Sequence, residues 1–159
     1  MKRIMFMIVV LLSLLSVLPV SAGQEGVGSD AVKTEALRVF EQALELWRAG
    51  DYDRLYDITS TSGSDTKESF SRRMAGARLK PSCCWERIQD VVVHVKSPAT
   101  VLIRAKLGLD APGEMEYKTK SIKMINESGE WRVARAEILS LAEAGKPKKS
   151  KNYRVKTAN

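Results

Sequence analysis

Two adjacent thiols, one imidazole and a small set of aromatic residues are the side chains of this sequence best suited to chemistry. Cys83 and Cys84 are its only cysteines. Neighbours across a trans peptide hold their Cα atoms about 3.8 Å apart, whereas relaxed disulfides prefer roughly 4.4–6.8 Å. A bond between them would be strained and easily reduced. Three readings stand open: a vicinal disulfide or redox pair, an intermolecular bridge, or two small residues at a helix-to-strand junction with at least one buried. No second cysteine pair and no histidine cluster accompanies them, so the sequence offers no metal site. His94, the single histidine, shares an alternation face with Ile88, Asp90 and Val92. The opposite face, Val91, Val93 and Val95, is the more apolar. That places the core on the valine side and His94 and Asp90 outside it, away from general-base work.

Phe40, Trp47, Tyr52, Tyr56 and Trp131 could line a ligand pocket, or they could form the core of a small domain. Arg135 and Glu137 read as sharing a strand face with Val133 and Leu139, forming either a buried polar floor or a solvated edge. Asn126-Glu127-Ser128 fits a glycosylation sequon, but its turn composition explains it without modification. No phosphate-binding glycine loop, nucleophile elbow or paired-histidine zinc motif occurs. The sequence therefore assigns no catalytic, cofactor-binding or metal-binding residue.

The elements that would position these groups follow from periodicity. Ala36, Phe40, Ala43, Leu44 and Trp47 recur at three- and four-residue steps, predicting a helix from Asp30 that stops at Gly50. A short helix follows with Tyr52, Leu55 and Tyr56 inward, then a loop over Thr59 to Ser64. Asp65 with Glu68 resembles a capping box that opens a third helix carrying Phe70 and Met74. Beyond Pro81 the period changes to two. Trp85 to Val95 is β-rich. Val101, Ile103, Ala105 and Leu107 alternate with Leu102, Arg104 and Lys106, as in a half-buried strand. Met115 to Ile125, with Lys118 and Lys120 on a wet face, and Trp131 to Leu139 complete the set. Three helices followed by an antiparallel meander of about four strands predict an α+β fold.

Charge and hydropathy locate the domain within the 159 residues. Lys2 and Arg3 precede an uncharged run from Ile4 to Leu18. Pro19 and the small residues of Val20-Ser21-Ala22 follow, as in a signal peptide cut between Ala22 and Gly23. The run is short against the roughly 20 residues a membrane span needs. Residues 1–22 are thus expected to be a leader, 23–29 a flexible lead-in, 30–144 one domain and 145–159 a disordered basic tail. Of 26 basic residues two lie in the leader and six in the tail, leaving 18 against 19 acids in the body. The +7 net charge belongs to the tail. A nucleic-acid-binding face is not indicated, and the expected destination is the periplasm or the medium.

The helix ending in Trp47-Arg48-Ala49-Gly50-Asp51-Tyr52 and the strand entry Ser128-Gly129-Glu130-Trp131-Arg132-Val133 resemble the nuclear-transport-factor-2-like superfamily over roughly Val32 to Leu139. The resemblance implies a strongly curved sheet wrapped around helices as a cone with one open mouth. That superfamily includes ketosteroid isomerases, which use an Asp base and an oxyanion hole of a Tyr and a protonated Asp. Tyr52, Tyr56, Asp57 and Asp90 supply those residue types, yet no position matches that motif, and none is carried over. Two functions remain. One is a non-enzymatic exported binding or interaction module, its tail held near an anionic membrane surface or cell-wall polymer. The other is a small-molecule isomerase, dehydratase or cyclase using the cone. The first is the expectation, because an enzyme of this kind needs an enclosed cavity with an inward acid or base.

Overall fold

A long helix crosses the hollow of a curled antiparallel sheet, and two shorter helices close the same side. The computed structural model describes residues 24–143, with side chains described from residue 28 onward. The expected leader, the Ala22–Gly23 cleavage site and the tail over 145–159 lie outside the described residues. Helix α1 spans Gln24–Ala49, so residues 24–29, read as lead-in, are helical. Ala36, Phe40, Ala43, Leu44 and Trp47 are all fully buried, as their spacing requires. Gly50 follows at φ 77°, the left-handed position that glycine takes without steric cost.

Helix α2, Tyr52–Asp57, is capped by the Asp51 carboxylate, which accepts from the Arg54 N–H. Helix α3, Lys67–Ala75, buries Phe70 and Met74. Its cap is Thr66, one residue beyond the expected Asp65, with Thr66 Oγ1 accepting from the Ser69 N–H at 3.2 Å. The Asp65 carboxylate instead takes the Arg73 guanidinium at 2.9 Å. The ion pair ties Asp65 to the last turn of the helix that Thr66 caps.

The sheet is α+β in the sense the periodicity predicted, with five strands. β1 is Lys80–Pro81, β2 Gln89–Ser97, β3 Thr100–Ala111, β4 Glu114–Glu127 and β5 Glu130–Val133. β3 pairs along its length with β4, and β4 pairs with β5. β1 and β2 share the other edge of β3. Between them a short 3-10 turn, Cys84–Arg87, interrupts the stretch expected to be continuous strand from Trp85. That turn lies against Gly108, where a Cβ atom would come within 2.4 Å of the Glu86 carbonyl oxygen. Glycine is required there by close approach.

Val101, Ile103, Ala105 and Leu107 face the helices and Arg104 faces solvent, so the register of β3 is as expected. Lys118 and Lys120 stand opposite Leu107 and Ala105. They therefore share the concave face with Ile122 and Met124, at the end the helices leave uncovered. There Lys118 meets Glu143 at 2.5 Å and Glu116 at 3.7 Å, and Arg78 pairs with both carboxylates.

Two further expectations are corrected. Val91 and Val95, expected in the core, are exposed, because β2 is an edge strand that bulges between Gln89 and Val92. β5 stops at Val133, and Arg135–Leu141 is a fourth helix, α4, rather than the continuation of a strand. Ile138, Leu139 and Leu141 of α4 close the core. Residues 58–60 lie parallel beside the end of the strand: the Ser60 N–H donates to the Val133 carbonyl at 2.8 Å, and the Val133 N–H donates to the Ile58 carbonyl at 3.1 Å.

Candidate binding groove

The interior that would have to hold a catalytic cavity is packed with side chains. Phe40 and Trp47, two of the expected pocket aromatics, are fully buried with Leu44, Leu55, Phe70, Ile103 and Leu107. Tyr52 and Tyr56 pack half-buried against the same cluster. Of the five aromatic residues singled out in the sequence, Trp131 lines an open groove of about 290 Å³ on the side of α1 facing the β4–β5 hairpin.

Three segments distant in sequence make this groove. α1 contributes Glu35, Arg38, Val39 and Gln42, the end of α2 gives Asp57 and Ile58, and the hairpin gives residues 129–132. The hairpin turn is the two residues Ser128 and Gly129, at φ 55° and 91°. Both positive values match the tight turn that follows the right-handed twist of paired strands. Asn126 Oδ1 accepts from the Gly129 N–H at 3.0 Å, and this fixes the residues that carry Trp131 and Arg132.

Val39, Ile58 and Trp131 form the apolar part of the lining, and the charges around them are already paired. Arg38 donates to Glu35 through Nε and Nη2, at 3.0 and 2.7 Å. This bidentate contact holds the Glu35 carboxyl below its ordinary value and the Arg38 guanidinium above its own. Arg132 meets Glu130 at 2.6 Å and Glu127 at 3.7 Å. Asp57 meets Lys67 at 2.6 Å, and that hydrogen bond raises the Lys67 ammonium. Glu35 is thus held anionic at neutral pH, the opposite of what a general acid needs. The groove presents half-buried Ile58 and the narrow exposed edges of Val39 and Trp131, 6% and 8% exposed, beside charges of both signs.

The remaining sequence candidates are scattered. His94 and Asp90 are both exposed, outside the core as expected. Cys83 and Cys84 are both free and both exposed, so the reading that buried at least one of them is corrected. Cys84 lies at φ 65°, and its hydrogen bond with Cys83, followed by desolvation, raises its thiol. No group of three or more His, Cys, Asp or Glu suited to a metal occurs among the described residues.

Arg135, expected on a strand, is the buried first residue of α4. Its Nε donates to Thr59 Oγ1 at 3.0 Å and its Nη2 to the Ser60 carbonyl at 2.7 Å. Nη1 donates to the Asp65 carbonyl at 3.3 Å, and the guanidinium stacks 4.1 Å from the Tyr56 ring centroid. Every one of these partners is neutral. The arginine fastens the loop after α2 to the end of the sheet, and Glu137 is no part of that arrangement.

Sequence reasoning missed Glu35, Arg38, Val39, Gln42 and Ile58 as groove residues. The one available signal is the hairpin motif from Ser128 to Val133. No protein-family profile matches the chain, and no curated protein resembles it at a significant level.

Proposed function

We propose that this protein is an exported, non-enzymatic binding or interaction module related to the nuclear-transport-factor-2-like superfamily. The observation that carries the non-enzymatic reading is the packing of Phe40, Trp47 and Phe70, all fully buried, in the core between the helices and the sheet. Two ionisable groups on the concave face, Glu116 and Lys118, are paired with Arg78 and Glu143 at its rim. The α+β order of helices before a curled sheet is what supports the relationship to that superfamily. Among the described residues no helix is long and apolar enough to cross a membrane.

The groove suits an amphipathic ligand that lays an apolar group against Trp131, Val39 and Ile58 and meets the paired charges with its polar atoms. The tail over 145–159 adds attraction to an anionic membrane surface or cell-wall polymer, at about 1 kcal/mol per cation near a charged membrane. Titration of labelled protein with short peptides, read by NMR shift changes, tests the groove. Shifts should centre on Val39, Ile58 and Trp131 and disappear in Trp131→Ala. Shifts centred on the core, with turnover of a carbonyl substrate, would overturn the non-enzymatic reading. Vesicle binding by the full chain and by a chain cut after Ala144, compared across salt, tests the tail, and equal binding would refute it. Mass spectrometry of the secreted product should find Gly23 first, and an intact Met1 would refute export.

A further inference from the structure

The charges of the domain cancel in sum but not in place. Along the helices and the concave rim, cations meet carboxylates: Arg78 and Lys118 are held by Glu116 and Glu143, Arg87 by Glu45, Lys67 by Asp57 and Arg73 by Asp65. The outer face of the sheet differs. The residues of β3 and β4 that alternate with the buried set point away from the helices, which puts Arg104, Lys106, Tyr117 and Lys123 on that face. Lys80 of β1 joins them opposite Asp110. Among the described residues Lys80, Arg104, Lys106 and Lys123 meet no carboxylate. Asp110 is the one acid at the outer positions of β1, β2, β3 and residues 115–125 of β4. Beyond them Glu127 and Glu130 are engaged by Arg132.

Three of these cations stand together. One two-residue step along β3 separates Arg104 from Lys106, and Lys123 lies one strand across and one step along from Arg104, so Arg104 is about 7–8 Å from each between Cα atoms. Such neighbours repel, and no acid lies among them. Apolar side chains are interleaved with them. Val92, which pairs with Arg104, is 45% exposed, Met115 44% and Tyr117 45%. Lys106 Nζ sits 4.5 Å over the Tyr117 ring centroid. The turn Cys84–Arg87, against Gly108 and so beside the register partner of Tyr117, carries Trp85, 72% exposed.

That combination selects the occupant. A second copy laid face to face would set the cations against one another. A soluble polyanion would answer the charges and leave valine, methionine and tyrosine in water. An anionic membrane surface answers both, since its headgroups carry the counter-charge and its headgroup–acyl boundary takes aliphatic groups and tyrosine or tryptophan rings. We propose that the outer face of the sheet, centred on Arg104, Lys106 and Lys123, docks on an anionic lipid surface with Met115 and Tyr117 in the headgroup layer. This surface uses no residue of the groove or of the tail.

Co-flotation of the gene product as recovered from cells with phosphatidylcholine vesicles, with and without phosphatidylglycerol, tests it. Binding is expected with phosphatidylglycerol only. Arg104→Gln with Lys123→Gln should weaken it by about 25-fold, at roughly fivefold per cation. Arg48→Gln with Arg72→Gln, exposed cations of α1 and α3, makes the same change in net charge and should leave binding unchanged. Met115→Ser with Tyr117→Ser should weaken binding severalfold with every charge in place, a loss that a soluble polyanion would not impose. A direct readout does not depend on these variants. In a background of Cys83→Ser and Cys84→Ser, a solvent-sensitive fluorophore on Ser121→Cys of β4 should shift to the blue on vesicles, and one on Glu41→Cys of α1 should not. The tail is intact in every variant, so its attraction is common to all and its own test stands apart. No binding by the parent, equal losses from the face and helix pairs, indifference to Met115 and Tyr117, or a fluorophore at 121 as wet on vesicles as in solution would overturn the proposal.

Discussion

Replacing Arg135 with methionine removes a buried cation whose partners are all neutral, and so measures what such a group contributes. Three hydrogen bonds are lost, to Thr59 Oγ1, Ser60 O and Asp65 O, along with the stacking on Tyr56. The losses are unequal. Asp65 O still accepts from the Tyr56 hydroxyl at 3.0 Å, and Thr59 Oγ1 still donates to Tyr56 O at 2.8 Å. The Ser60 carbonyl is the one of the three with no other side-chain partner among the described residues, so its loss is the largest. Hydrogen bonds from a charged donor contribute roughly 1.5–3 kcal/mol each, and a desolvated cation–π contact about 2. Against these stands the desolvation penalty of the buried ion, several kcal/mol, which methionine does not incur. The balance is a destabilisation of about 2 kcal/mol, and about 3 for alanine, which also leaves a cavity. In urea, with a slope near 1.5 kcal/mol/M, the methionine variant should unfold about 1.3 M earlier. Lysine should do no better than methionine, since one ammonium cannot span the hydroxyl and two carbonyls that the planar fork reaches. A methionine variant as stable as the parent, with unchanged slope, would refute the view that Arg135 holds the loop in place.

Gly108→Ala should cost about 1–3 kcal/mol, or displace the 3-10 turn, because its Cβ would meet Glu86 O at 2.4 Å and Ser82 Oγ at 2.6 Å; urea unfolding and Trp85 emission report both outcomes. Native protein should react with a disulfide reagent at two thiols per chain, since both cysteines are exposed and free. Cys84 should be the slower at neutral pH and accelerate in alkali, because its thiol is raised and the thiolate is the nucleophile. Glu35, Glu68 and Glu143 have carboxyls lowered from 4.5 by hydrogen bonds. Their contribution to stability is therefore present above that value and lost as pH falls through the lower folded-state values. Urea midpoints should decline below about pH 4.5, and Glu143→Gln should flatten part of that decline.

Local periodicity determined the elements whose burial follows from their own side-chain spacing. The stripe Ala36, Phe40, Ala43, Leu44 and Trp47 could be buried only as one face of a helix, and Val101, Ile103, Ala105 and Leu107 only as one face of a strand. Elsewhere the decisive neighbours were far away in the chain. Val91 and Val95 are as apolar as any core residues, but β2 pairs on one side only, and an edge strand exposes what a central one would bury. Trp131 to Leu139 alternates well enough to pass for a strand. After Val133 it is a helix, whose first residue, Arg135, satisfies the Ser60 and Asp65 carbonyls, partners some seventy residues away that no local pattern reveals. The groove was the least legible of all, because residues 35–42, 57–58 and 129–132 share no pattern in sequence and meet only when the curl of the sheet brings the last hairpin against the long helix. Sequence alone determined the buried faces of α1 and β3, because these depend on repeats a few residues long. Tertiary structure alone decided which polar groups meet and which edge stays open, because that depends on which strands and loops become neighbours.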